Sequence, residues 1–362
     1  MYRDLDAAEL AARLGAADEP YLLDVRDPEE FRAWSIAGAV NVPLAELARR
    51  IDELPSDREL VSICASGNRS ATAAELLSRA GFSVANLSGG MAAWAMVYDA
   101  VTLDVGGVHV VQVRRRGKGC LSYLAGTGDE AVALDPSLDT AVYLRLAAGH
   151  GWRITRVFET HLHADHLSGA RALSRVTGAT LHLNPADPFE RAFVPLAHGD
   201  RFELPGGPVI QALHTPGHTR SSTVYVVDDR AVLSGDTIFV DGVGRPDLAD
   251  RATEFAHDLY RSLHDELAGL SDETLVLPGH YGESVAVSPG RAVAVTFGQL
   301  RQSLDVLAYD EDRFVAWATS RCSSRPPHYA EIVAANMGRT RLALDLLRRL
   351  ELGPNRCAVS GG

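Results

Sequence analysis

Two groups of residues in this 362-residue chain are spaced for chemistry. The first is Cys64-Ala-Ser-Gly-Asn-Arg69-Ser70, which follows the apolar run LVSIC (60–64) and precedes a helical stretch starting near Ser70. A thiol placed there meets inward-pointing backbone N–H groups and a helix N-terminus, and both stabilise a thiolate. Arg69 adds a cation, and Gly67 permits the tight turn. The second group is spread along the chain: Thr160-His161-Leu162-His163-Ala164-Asp165-His166, then His214-Thr215-Pro216-Gly217-His218-Thr219, then Ser234-Gly235-Asp236, then Pro278-Gly279-His280. Each word sits at the end of a strand-like apolar run, so one sheet edge can bring imidazoles and carboxylates together around a metal. Histidines outside these words (His109, His150, His182, His198, His257, His264) read as surface or satisfied core residues. Cys120, Cys322 and Cys357 have no helix mouth beside them and read as incidental.

The elements that must hold these groups fall into an α/β pattern. Over residues 1–98, YLLDV, LVSIC and FSVANL alternate with the helical stretches PEEFRAW and SATAAELLSRAG, which predicts a parallel sheet. Residues 99–106 read as a linker. From 107, VHVVQVRR, GCLSYLAG and EAVALDP suit an antiparallel meander, followed by a helix over 138–149 and a strand over 154–160. The metal words occupy the remainder to about 290. Residues 291–362 read as a helical C-terminal extension ending in a frayed GPNRCAVSGG. The net charge of −12 argues against nucleic-acid and anionic-membrane partners. No apolar run approaches a membrane span, and the acidic N-terminus does not read as a signal peptide. Four cysteines do not make a disulfide scaffold. The location expected is cytoplasmic.

With DVRDPEEFRAWSIAGAVNVP (24–43) and NLSGGMAAW (86–94) flanking the cysteine loop, residues 1–98 resemble the rhodanese sulfurtransferase domain. The resemblance implies that Cys64 carries sulfane sulfur as a persulfide and that Arg69 sets the loop's electrostatics. It makes Asp24 and Arg26 scaffold residues near the site. The Cys-x4-Arg loop is one residue shorter than that of the related phosphatases, which suits a sulfur atom rather than a phosphate.

Residues 107–290 resemble the metallo-β-lactamase fold, an αββα sandwich with metal at one edge. That family holds one or two metals, and every ligand for two is present: His161, His163 and His218 for one, Asp165, His166 and His280 for the other, with Asp236 shared. A glyoxalase II-like dinuclear zinc thioester hydrolase uses them all to generate a bridging hydroxide. The words HADHLSG, HTPGHT and GDTIFVDGVGRPDL, however, look like the persulfide dioxygenase branch, the ethylmalonic-encephalopathy-protein-like enzymes of bacterial sulfide oxidation. That resemblance implies one Fe(II) per chain on His161, His218 and Asp236, a two-His-one-carboxylate face with open positions. His163, Asp165, His166 and His280 then orient the ligands. Arg245, in Gly-Arg-Pro-Asp-Leu, is expected to hold an anionic part of the substrate or to brace the wall beside the iron; pairing with Asp247 or Asp241 is the alternative. Two departures stand out: Tyr281 follows His280 directly, and the stretch after Gly282 diverges. RPPHYAEIVAANMG (325–338) looks like a terminal motif of bacterial members fused to rhodanese domains.

The function implied is oxidation of a low-molecular-weight thiol persulfide by dioxygen to sulfite, coupled to sulfur transfer through Cys64 with thiosulfate or sulfite as the other partner. The hydrolase is the alternative enzyme. A persulfide carrier or sensor with a structural metal is the alternative of another class. These folds often dimerise, so a homodimer is allowed.

Overall fold

The computed structural model describes residues 1–248, 250–282, 285, 287–288, 290–322, 325, 328–340, 342–353 and 358–360. Cys357, Pro326 and Pro327 of the terminal motif, and Glu283 and Ser284 of the divergent stretch, lie outside them. No helix among the described residues is long and apolar enough to cross a membrane. The chain divides into two compact units, one holding residues 1–99 and the other most of residues 100–362.

In the first unit, five parallel strands lie in the order Arg3–Leu5, Val84–Leu87, Leu60–Ile63, Tyr21–Asp24, Val40–Asn41. Side chains alternate across a strand. Val61 and Ile63 therefore join one core with Leu5, Leu22, Leu87 and Trp94, while Leu60 and Cys64 join the other with Leu23, Ala73, Ala74 and Leu77. That alternation puts the thiol under the helix Asn68–Arg79. The edge strand Arg3–Leu5 was not anticipated, because three residues are too few to show a period.

In the second unit, a seven-stranded and a six-stranded sheet face each other. Val110, Leu121, Tyr123, Leu134 and Phe158 from one sheet pack with Ile210, Tyr225, Leu233 and Leu277 from the other. Helices Ala252–Arg261, Phe297–Ser303 and Glu311–Ser320 cover the outer face of the second sheet through Leu259, Phe297, Leu300 and Phe314, which meet Val224, Val232 and Val276. Helix Ala170–Thr177 packs on the strand Arg153–Phe158 of the first. The result is the four-layer αββα arrangement expected.

Two segments correct the sequence reading. Residues expected to be a linker are an eight-residue strand, Tyr98–Val105, the edge of the seven-stranded sheet. Val101, Leu103 and Val105 face inward and alternate with exposed Thr102 and Asp104, a period-two pattern that marks a half-buried strand and that the linker reading passed over. The tail expected to fray contains a short strand, Ala358–Ser360, paired antiparallel with Gly242–Gly244. Its backbone finds a ladder partner that local composition does not reveal.

Candidate metal centre and persulfide loop

The second unit delivers its metal words from strand ends. His161 follows Arg153–Phe158, His218 follows Val209–His214, Asp236 follows Ala231–Gly235, and His280 follows Leu275–Pro278. All four are buried. His161 Nε2, His218 Nε2 and Asp236 Oδ2 lie within 4.8 Å of one another, and none has a hydrogen-bond partner. Asp236 Oδ2 is 3.4 Å from His218 Nε2 and 3.7 Å from His161 Nε2. Buried polar atoms left unpaired cost free energy. Three of them, all ligand types, converging on one point fit a bound cation.

The opposite side of each group is tied down. Thr160 Oγ1 donates to Asp135 Oδ2 at 2.7 Å, because a carboxylate only accepts. Thr160 Oγ1 must then accept from His161 Nδ1–H at 2.9 Å, which leaves the lone pair on Nε2. His218 Nδ1–H donates to the Arg245 carbonyl at 3.0 Å, with the same consequence. Asp236 Oδ1 accepts from His280 Nδ1 at 2.7 Å, leaving Oδ2 to face the two imidazoles. Burial, with His163 alongside, holds His161 well below the usual imidazole range, and burial lowers His218 as well. Burial opposes ionisation of Asp236, but His280 and His161 outweigh it and hold the carboxyl well down.

His163 does not share this cluster. Its Nε2 donates to Asp135 Oδ1 at 3.2 Å and its ring stands edge-on to His161, while its Nδ1 is buried and unpartnered like the three atoms of the trio. A second set comprises Asp165, His166, His280 and a residue the sequence reading set aside, Cys120. Asp165 Oδ1 pairs with His166 Nδ1 at 3.0 Å, Oδ2 lies 2.8 Å from His280 Nε2, and the Cys120 thiol points at Oδ2 from 3.6 Å. Burial raises the Cys120 thiol, yet His166 and His280 bring it down to about 7. Its position at the start of the strand Cys120–Thr127 was visible in the sequence. Its proximity to His280, which forms an isolated bridge with it, was not.

Arg245 shows the Asp247 pairing held open for it. It is buried, and Nε and Nη2 each bond Asp247 at 2.7 Å, so the guanidinium is engaged by a neighbouring carboxylate. Its backbone carbonyl orients His218. Beside His218 opens a small recess of about 100 Å³ whose wall includes Leu162, Ala164, Phe255, Val333 and Met337, with Asp187 and Arg220 among its polar residues. Its lining is largely apolar.

In the first unit, Cys64 is buried at the end of Leu60–Ile63. Gly67 N donates to its Sγ at 3.1 Å and Ser70 Oγ lies 3.3 Å away. Burial pushes the thiol up, but the Ser70 hydroxyl and the N–H groups of Ser70, Ser66 and Gly67 bring it below the ordinary thiol value. Gly90 must be glycine: a Cβ there would fall 2.2 Å from the Cys64 carbonyl, at a φ of +57°. Arg69 is held by both Glu30 oxygens at 2.8 Å. Asp24 and Arg26 form a buried pair, as scaffold residues would.

Residues 6–96 match the rhodanese-like domain family, and residues 115–280 match the metallo-beta-lactamase superfamily. An uncharacterised protein of Mycobacterium tuberculosis is 34% identical over 197 residues, covering 45% of this chain and 85% of that protein. A hydroxyacylglutathione hydrolase of Rhizobium etli is 37% identical over 145 residues, covering 39% of this chain and 54% of the hydrolase. The crystal structure of ETHE1 from Myxococcus xanthus superposes with a TM-score of 0.54 at 30% identity, covering 68% of this chain and all of that one. The chain belongs to the metallo-beta-lactamase superfamily. It carries a rhodanese-like domain ahead of the metal-binding sandwich.

Proposed function

We propose that the second unit is an iron(II)-dependent dioxygenase acting on a low-molecular-weight thiol persulfide, and that the first unit transfers sulfane sulfur through Cys64. The observation that carries the reading is the convergence of two imidazole nitrogens and one carboxylate oxygen, all buried and unpartnered, in a trio that does not include His163. That donor set is the two-His-one-carboxylate face of non-haem iron oxygenases. Its likeness to ETHE1 and its joining to a rhodanese-like domain support sulfur chemistry.

His161, His218 and Asp236 would hold the iron, and Thr160, Asp135 and the Arg245 carbonyl fix which nitrogens face it. Bound iron would supply activation of dioxygen for transfer to sulfur. The apolar recess beside His218 takes the organic part of the persulfide and excludes water from it. Overall, persulfide, dioxygen and water become thiol, sulfite and two protons. In the first unit, Gly67 N–H and Ser70 stabilise the Cys64 thiolate as it accepts sulfur. Either sulfur from thiosulfate passes through Cys64 to a thiol, or product sulfite takes persulfide sulfur to give thiosulfate.

A second reading, a dinuclear zinc thioester hydrolase, draws on the other ligand set around Asp165 and on the Rhizobium etli relative. The test is a pair of variants. His161→Ala should abolish iron binding and oxygen uptake. His163→Ala should keep a larger share of both than His161→Ala, because His163 lies outside the trio of converging ligand atoms. Equal loss of metal in the two variants, or stoichiometric binding of two zinc ions with thioester turnover, contradicts the dioxygenase reading.

A further inference from the structure

We infer that Asn336, far along the chain from every metal word, is a positioning residue for the metal centre. It lies on the helix Tyr329–Met337 and is buried. Its Nδ2 donates to the carbonyl of His163 at 2.9 Å and to the carbonyl of His166 at 2.8 Å. Its Oδ1 accepts from Ser168 N at 3.0 Å. Both amide protons and the amide oxygen are thus spent on one loop, the segment that carries His161, His163, Asp165 and His166. Glu351 adds a fourth tie by accepting from Leu167 N at 2.6 Å.

The loop needs these partners. Buried backbone groups must be paired, and the carbonyls of His163 and His166 lie in no strand or helix that would pair them. Fixing the peptide groups of His163 and His166 fixes the directions in which the loop's side chains leave it. Metal–ligand distances tolerate about 0.2 Å, so a loop released from this grip loses its alignment with His218 and Asp236 before it loses its fold. The inference rests on the metal assignment above but not on the reaction.

The test uses the full chain loaded with cobalt(II), a spectroscopic probe whose retention does not depend on turnover. Asn336→Asp keeps the size and the acceptor for Ser168 N while removing both donors. Asn336→Leu keeps near volume and removes all three bonds without placing a charge against the carbonyls. Both variants should release cobalt to a chelator at least about tenfold faster than wild type, with shifted absorption bands in the folded protein. A lowered melting temperature with wild-type cobalt release and spectrum would make Asn336 a brace of the fold only and overturn the inference. Unchanged release, spectrum and melting would overturn it too. Wild-type protein that holds no cobalt removes the metal centre itself, and the inference with it.

Discussion

Replacing Gly279 by alanine should empty the metal centre without changing any ligand. A Cβ at this position would sit 2.7 Å from Asp236 Oδ1, with Gly235 backbone atoms at 3.1 and 3.2 Å behind it. Ordinary contact begins near 3.4 Å, so the carboxylate or the backbone must give by about 0.7 Å. Neither is free to do so. Asp236 Oδ1 is held by His280 Nδ1 at 2.7 Å. The Gly279 backbone is bonded on both sides, its N–H to the Gly235 carbonyl and its carbonyl to Leu121 N, each at 2.7 Å. A shift of that size exceeds the roughly 0.2 Å tolerance of a metal–ligand bond several-fold. The expected result is a loss of metal affinity of at least about 10–100-fold, the cost of disturbing a ligand's support, together with about 1–3 kcal/mol of overpacking. Metal content after desalting, circular dichroism and a thermal melt together measure this. Full metal stoichiometry with a wild-type melting temperature would show that Asp236 is not seated as described.

Two further predictions concern the first unit. Cys64→Ser removes the buried nucleophile of the loop, so thiosulfate-to-thiol sulfur transfer should vanish while oxygen uptake on a pre-formed persulfide stays near wild type; loss of both activities in a folded variant would mean the chemistry is divided wrongly. Ser70→Ala removes a donor to the Cys64 sulfur, so the thiolate becomes harder to form and the midpoint of the pH profile for Cys64 alkylation should move upward; an unmoved midpoint would remove Ser70 from the account.

The candidate ligands were legible because each lies in a short word at a strand end, and strand ends of one sheet edge converge. It showed Cys64 because the thiol, the left-handed Gly67 and the helix start are contiguous. What it could not show are partners joined only by folding. Asp135 ends its own strand yet governs Thr160, His161 and His163 from 25 to 28 residues away. Its one cue was an Asp-Pro at a strand terminus. Cys120 looked incidental because its neighbours in sequence are unremarkable and its neighbours in space are Asp165 and His280. Arg245 was assigned from a motif to the substrate. The carboxylate two residues away claims it at 2.7 Å, the alternative that local sequence already held open. The strand Tyr98–Val105 was legible in the alternation Val101-Thr102-Leu103-Asp104-Val105, which the linker reading overlooked.

The most direct test of the central claim is the stoichiometry of the reaction on protein reconstituted anaerobically with iron(II). With glutathione persulfide as substrate, oxygen consumption and sulfite release should each approach about one per persulfide at about one iron per chain. Lactoyl-thioester hydrolysis by the same preparation should be slight. Two zinc ions per chain with thioester hydrolysis outrunning persulfide oxidation would contradict the dioxygenase and put the hydrolase in its place.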